Sequence, residues 1–296
     1  MRASWVSTVG NAILSLSKIA VGLAAGSLAV LGDGIDSATD VIISVVMIFT
    51  AAIISRPPSR QYVYGYEKAE GIATKVLSMV IFYAGVQMLV SSIRIIVSCE
   101  PREMLHPITI WVTVFSIAGK LLLSLYQFRL GRRTGSSMLR ANAVNMRNDV
   151  LISVAVLVGL IFTFILKMPI LDSVTGLVVS LFIIRSAIRI FIDSNVELMD
   201  GVKDTSVYDK IFAAVERVPG ASNPHRVRTR MIGNLYMIDL DIEADGSISL
   251  AEAHAISDAV EKSIREEVDV YDIVVHVEPK GRHHDEEKFG IDEKML

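Results

Sequence analysis

Four polar residues stand in two pairs inside apolar sequence, and both pairs have the same spacing. Asp36 and Asp40 lie in LGDGIDSATDVIISVVMIF, and Asn145 and Asp149 lie in ANAVNMRNDVLISVAVLVGL. Residues four apart share one face of a helix. An ionisable group at membrane depth costs roughly 2.5–3.5 kcal/mol on insertion scales, and more on others. Three carboxylates and an amide, two to a helix, therefore predict a four-coordinate cation site. Zinc favours imidazole and thiolate, whereas carboxylate and carbonyl oxygens suit harder ions such as manganese or magnesium. The histidines fall at 106, 225, 254, 276, 283 and 284, none of them within an apolar stretch.

Other polar residues lie close by. Asp33 is three residues before Asp36 on a similar face, and Asn142 is one turn from Asn145; each is expected as an outer-shell or entry group beside the ligands, or as a helix–helix hydrogen-bonding residue. Asp172 follows the KMP turn and reads as a helix N-cap. Lys18 lies in the first apolar stretch and is expected to snorkel or to pair with an acid.

Elements that could hold such a site follow from composition. The chain has 296 residues, 52% of them hydrophobic, with a mean hydropathy of +0.49. The apolar residues concentrate before about residue 198. A span needs about 20 apolar residues, and six stretches qualify: 7–25, 28–54, 70–97, 107–128, 138–166 and 169–192. The expected fold is a six-helix α-helical transmembrane domain over 1–202, then a small α+β cytoplasmic domain over 203–280. The charged tail 281–296, which includes His283 and His284, is expected to be disordered. MRASW runs into a long apolar stretch without a cleavage pattern, which reads as a retained first span. A net charge of −3 gives no case for nucleic-acid binding, and Cys99 alone excludes an internal disulfide framework or a cysteine-rich zinc site.

Basic residues orient the spans. Arg56, Arg60 and Lys68 follow the second, and Arg129, Arg132, Arg133 and Arg140 follow the fourth; the opposite side offers Arg102 and Lys167. Both termini are therefore expected on the cytoplasmic side of a multi-pass protein, in a cell inner membrane. The last third reads as αββαβ: helix SVYDKIFAAVERV, strands HRVRTRMIG and LYMIDLDIEA, a helix opening with Ser249 three residues before Glu252, and strand YDIVVHVEP.

At GSLAVLGDGIDSATDV, YGYEKAEG and NMRNDV the chain resembles the cation diffusion facilitator family, and the likeness extends over nearly its whole length. The resemblance implies a homodimeric exporter of divalent metal with the transport site on Asp36, Asp40, Asn145 and Asp149. Zinc-transporting members usually carry His where this chain has Asn145, so the departure looks manganese-type. Tyr62, Tyr66 and Ser59 stand where some members place His, His and Asp ligands of a further site, which is thus expected to be absent. Through HRVRTR, MIDLDIE, AEAHAISD and VVHVEP the resemblance implies cytoplasmic ligands at His225, Asp239, His254, His276 and Glu278. It also matches Lys68 and Asp200 to a charge pair joining the two domains.

The expected activity is proton-coupled export of manganese. Zinc, cobalt, cadmium and ferrous iron are the alternatives as substrate. The partners are the ion, protons, a second copy and the bilayer. No catalytic residue and no cofactor are assigned. An intramembrane aspartyl protease would require a Gly-x-Gly-Asp pattern on a separate helix, and Gly32-Asp33-Gly34 is not that pattern. A metal sensor without transport would not need the intramembrane set.

Overall fold

The computed structural model describes residues 2–98, 103–134, 137–202, 204–233, 235–281 and 290–292, and the side chains of 2–5, 7, 131, 134, 137–142 and 145 lie outside that description. Cys99, Arg102, His283 and His284 also fall outside it.

Six long helices come first: α1 (Arg2–Ala25), α2 (Leu28–Ile54), α3 (Ala69–Ser98), α4 (Ile108–Thr134), α5 (Ser137–Leu166) and α6 (Ile170–Leu198). Each is long and apolar enough to cross a membrane, as the sequence predicts. Their surfaces reverse the soluble pattern. Phe49, Trp111, Phe115, Leu122, Leu151 and Ile165 are exposed, whereas Lys18, Asp33, Lys120, Gln127, Ser153 and Asp172 are buried. Apolar outside and polar inside is what a lipid solvent selects.

Glycines allow the close approaches. A Cβ on Gly34 would lie 2.8 Å from Ile19 Cγ1, and one on Gly22 would lie 2.7 Å from the Leu31 backbone nitrogen, so α1 and α2 nearly touch. Leu14 fills the notch at Gly119 in the same way, joining α1 to α4. Small residues at helix crossings are the usual means of tight contact in a bilayer.

The corner that starts α2 is tied down. Gly26 takes φ 66°, and Ser27 N–H donates to the Gly22 carbonyl at 2.9 Å, closing α1 with a left-handed cap. Ser27 Oγ then accepts from Val30 N–H and donates to Asp172 Oδ1 at 2.6 Å, while Leu28 N–H donates to Asp172 Oδ2 at 2.8 Å. Asp172 lies in the first turn of α6, not at its N-cap as expected, and caps α2 across the bundle instead. The carboxylate meets both the free amides and the positive end of that helix. This anchor holds α2 two turns before Asp36.

The remainder is α7 (Ser206–Glu216), β1 (Ser222–Ile232), β2 (Leu235–Ala244), α8 (Leu250–Glu267) and β3 (Val270–Pro279), the αββαβ order expected. The sheet order is β1-β2-β3, with β1 antiparallel and β3 parallel to the central strand. A hairpin makes the first pairing, and α8 makes the crossover that a parallel pair requires. Ile238, Leu240 and Ile242 of β2 face Ile211, Val215, Val260 and Ile264 from the two helices. Alternation therefore sends Asp239, Asp241 and Glu243 to the other face. Ser249 and Glu252 form the expected capping box on α8. Within the tail expected to be disordered, Ile291 pairs with Val227 on the free edge of β1, and Asp292 accepts from Arg226 N–H at 2.9 Å. Edge strands present unpaired amides, and these two residues satisfy some of them.

By contacts the chain forms two compact units, 1–52 with 73–192 and 53–72 with 193–296. In the second, Lys68 Nζ lies 2.8 Å from Asp200 Oδ1, and the Arg230 guanidinium sits 4.5 Å from the Tyr64 ring centroid. Tyr62 and Tyr66 pack with ring centroids 4.9 Å apart.

Candidate metal sites

The intramembrane site is built on α2 and α5. One turn of α2 carries Asp36 and Asp40, and one turn of α5 carries Asn145 and Asp149. The carboxyl groups of Asp40 and Asp149 approach each other closely, and Asp36 lies within the field of Asp149 and of Lys120. Asp36, Asp40 and Asp149 are each partly exposed, so an ion can reach them. Asp149 is held in place by its neighbours: Ala143, Met146 and Val150 are buried, and Ser124 Oγ on α4 donates to the Ala143 carbonyl at 2.8 Å. The structure thus brings three of the four expected ligands together. The side chain of Asn145 lies outside the described residues, as does that of Asn142.

Two lysines accompany this site. The acid expected to pair with Lys18 is Asp33, whose Oδ2 lies 2.7 Å from Nζ, both side chains being essentially inaccessible. Lys18 Nζ also donates to Ser37 Oγ and Ser153 Oγ, and Ser153 Oγ donates to Asp33 Oδ1 at 2.7 Å. Asp33 is thereby committed to a network joining α1, α2 and α5 and does not stand free beside the ligands. The second lysine is Lys120 of α4, which the sequence reading did not single out. It is 1% exposed, and its Nζ lies 3.3 Å from Asp149 Oδ2. Its signal was available, since a lysine in the middle of ITIWVTVFSIAGKLLLSLYQF is as costly at membrane depth as an aspartate.

A second candidate lies on the polar face of the sheet. Among the described residues, His225, Asp241 and Glu278 offer ligand atoms within 4.8 Å of one another. Two irregularities in β1 put His225 opposite Asp241, and Asp241 in turn faces His276 across the parallel pair. Glu278 reaches both imidazoles, at 3.6 Å from His225 Nε2 and 3.4 Å from His276 Nε2. His225 Nδ1 lies 2.8 Å from the Asn223 carbonyl, which can only accept. Nδ1 therefore donates, and in the neutral ring Nε2, on the Glu278 side, carries the lone pair that a metal could use. Of the five residues expected here, the structure groups His225 and Glu278, with His276 against the latter. Asp241 is the third member, and Asp239 is not part of the group. His254 stands on α8, three-quarters exposed, beside Asp258 at 3.8 Å. Arg226, with φ 50°, turns its guanidinium onto Asp241.

Comparison with known proteins agrees with this architecture. The profile of the cation efflux transmembrane domain matches residues 4–199, and that of the cation efflux protein cytoplasmic domain matches 204–280. An uncharacterised transporter of Bacillus subtilis, YdbO, is 30% identical over 269 residues, covering 90% of this chain and 91% of its own. The manganese efflux system protein MneS of the same organism is 29% identical, with 93% of both chains covered. The cation-efflux pump FieF of Pectobacterium atrosepticum is 28% identical, covering 90% of this chain and 88% of its own. Six apolar helices, an αββαβ module and both domain profiles in order establish that the chain belongs to the cation diffusion facilitator family of divalent-cation efflux transporters.

Proposed function

We propose that the protein exports Mn²⁺ from the cytoplasm in exchange for protons, through a site formed by Asp36, Asp40, Asn145 and Asp149. The observation that carries this reading is the contact of Asp40 with Asp149 next to Asp36, an all-carboxylate cluster in spans that contain no histidine. Hard oxygen donors suit Mn²⁺ better than Zn²⁺. The likeness to MneS supports the same metal. Export of a divalent ion against an inside-negative potential costs about 4.6 kcal/mol per 100 mV, twice the cost for one charge. Protons moving inward can supply it, because a carboxylate binds either proton or metal. The protein acts as a homodimer in a cell inner membrane with both termini cytoplasmic, as the basic residues at 56, 60, 129, 132 and 133 support.

The test is flux in proteoliposomes holding the purified chain. Mn²⁺ uptake should move protons the other way, and Mn²⁺ should outcompete Zn²⁺, Co²⁺, Cd²⁺ and Fe²⁺. Metal flux with no proton counterflux would refute the exchange. In the same assay Asn145→His should shift the Zn²⁺-to-Mn²⁺ preference toward zinc by about tenfold, since imidazole is the better zinc ligand. An unchanged ratio would remove Asn145 from the ligand set.

The cytoplasmic cluster of His225, Asp241 and Glu278 binds metal as a regulatory site and is not on the transport path. Glu278 touches both imidazoles, so Glu278→Gln should weaken metal binding there at least about tenfold, the usual cost of disturbing a metal's ligands or their supports. Calorimetry on full-length Asp40→Ala protein, in which the intramembrane site is silenced, isolates this binding. An isotherm that Glu278→Gln leaves unmoved would mean a polar sheet face and nothing more.

A further inference from the structure

Lys120 is a buried charge that the transport reading does not use. It enters from α4, a helix with no assigned ligand, and its Nζ meets Asp149 Oδ2 at 3.3 Å. The side chain is 1% accessible, so the ammonium has no retreat to bulk water. It acts electrostatically on Asp36 and Asp40 as well as on Asp149. Lys18 differs, being neutralised by Asp33 at 2.7 Å and held by two serine hydroxyls. Counted in their ionised forms, the three carboxylates and Lys120 leave a net charge of minus two. One divalent ion cancels that charge. Without the lysine the same ion would leave the site negative in a low-dielectric interior, and would be held more tightly.

Resting on the transport site proposed above, we infer that Lys120 is a resident cation of that site: its ammonium holds Asp149 when no metal is present, yields it when metal enters, and so weakens metal binding and speeds release. The side chain is long and flexible, which lets the ammonium withdraw from one carboxylate oxygen without moving a helix. A transporter needs binding that is reversible at each turnover, and a tethered competitor provides it. Lys120 acts here on the ion through Asp149; it is a positioning and affinity-setting residue, not a ligand.

The experiment is Mn²⁺ flux in proteoliposomes carrying wild-type, Lys120→Met, Lys120→Arg or Asp149→Asn protein. Lys120→Met should lower the half-saturating Mn²⁺ concentration about tenfold or more, since a cation this close weakens binding severalfold even with strong screening. Its maximal rate should fall, because release slows. Lys120→Arg keeps the charge and should stay within about threefold of wild type. A lysine that merely tied α4 to α5 would not sharpen affinity on removal. If Lys120→Met fails to fold, Lys120→Gln, which retains a hydrogen-bonding end, carries the same expectation. A half-saturating concentration that is unchanged or raised in a folded variant overturns the inference. Asp149→Asn separates the two levels: flux lost there with Lys120→Met unchanged defeats the lysine's role alone, and flux retained there defeats the site itself.

Discussion

Asp40→Ala is expected to lower Mn²⁺ flux at least about a hundredfold, and to leave a folded, monodisperse protein. Disturbing even the residues that support a metal's ligands typically costs about 10–100-fold, so removing a carboxylate from the set itself should cost no less. Asp40 is a better target than Asp149, although both stand in the site. Asp149 is also the ion-pair partner of Lys120, at 3.3 Å. Removing it strands a buried ammonium, and breaking a buried pair from one side destabilises by about 3–5 kcal/mol. Flux lost in Asp149→Ala would therefore mix lost ligation with lost stability. Asp40 is partly exposed and faces Asp149, so its loss relieves a like-charge contact. Transport at the wild-type rate in folded Asp40→Ala protein would remove the intramembrane site from the mechanism.

How much of this site was legible in the sequence follows from which physical rule each residue obeys. Asp36, Asp40 and Asp149 were readable because charge in an apolar helix is costly and the four-residue spacing fixes the face. Lys120 obeys the same rule, but its partner is 29 residues away on another helix, so no local spacing marks the pair. Asp172 has the sequence setting of a local cap, but what it caps is a helix 144 residues earlier in the chain. Nothing in the local pattern distinguishes the two cases. In the soluble domain the element order was legible from alternation and turn residues, but the register was not. A regular ladder counted back from the pair Arg228–Asp239 would set Arg226 opposite Asp241. The irregularity after His225 shifts the strand by one residue and brings the imidazole there instead. Such a bulge leaves a left-handed residue, here Arg226 at φ 50°, and arginine gives no hint of it. Asp241 is therefore the aspartate grouped with His225 and Glu278.

Both candidate sites share a feature that only the structure displays: a protein cation already sits on one of the candidate ligand carboxylates. Lys120 holds Asp149, and Arg226 holds Asp241. Each acid thus avoids standing uncompensated when metal is absent, which is the costly condition for a buried charge. The backbone N–H of Arg226 also donates to Asp292 at 2.9 Å.

The second large effect concerns Lys18 and Asp33, which hold the site's scaffold together. Lys18→Met alone should destabilise the protein by about 3–5 kcal/mol, because Asp33 is left charged, inaccessible and without its cation. The damage should reach the transport site, since Asp33 precedes Asp36 by three residues on the same helix and Ser153 follows Asp149 by four. The double variant Lys18→Met, Asp33→Asn removes both charges. It keeps an acceptor oxygen for Ser153 Oγ, which donates to Asp33 Oδ1 at 2.7 Å. Replacing both members of a buried pair is often neutral or stabilising, so most of the loss should be recovered. Thermal unfolding in detergent, run as a double-mutant cycle, reads the coupling directly. A double variant as unstable as Lys18→Met would show that packing of the lysine stem, and not its charge, is what α1 contributes. A stable single variant would show that water or another cation reaches Asp33, and that the three-helix network does not set the geometry of α2 around Asp36 and Asp40.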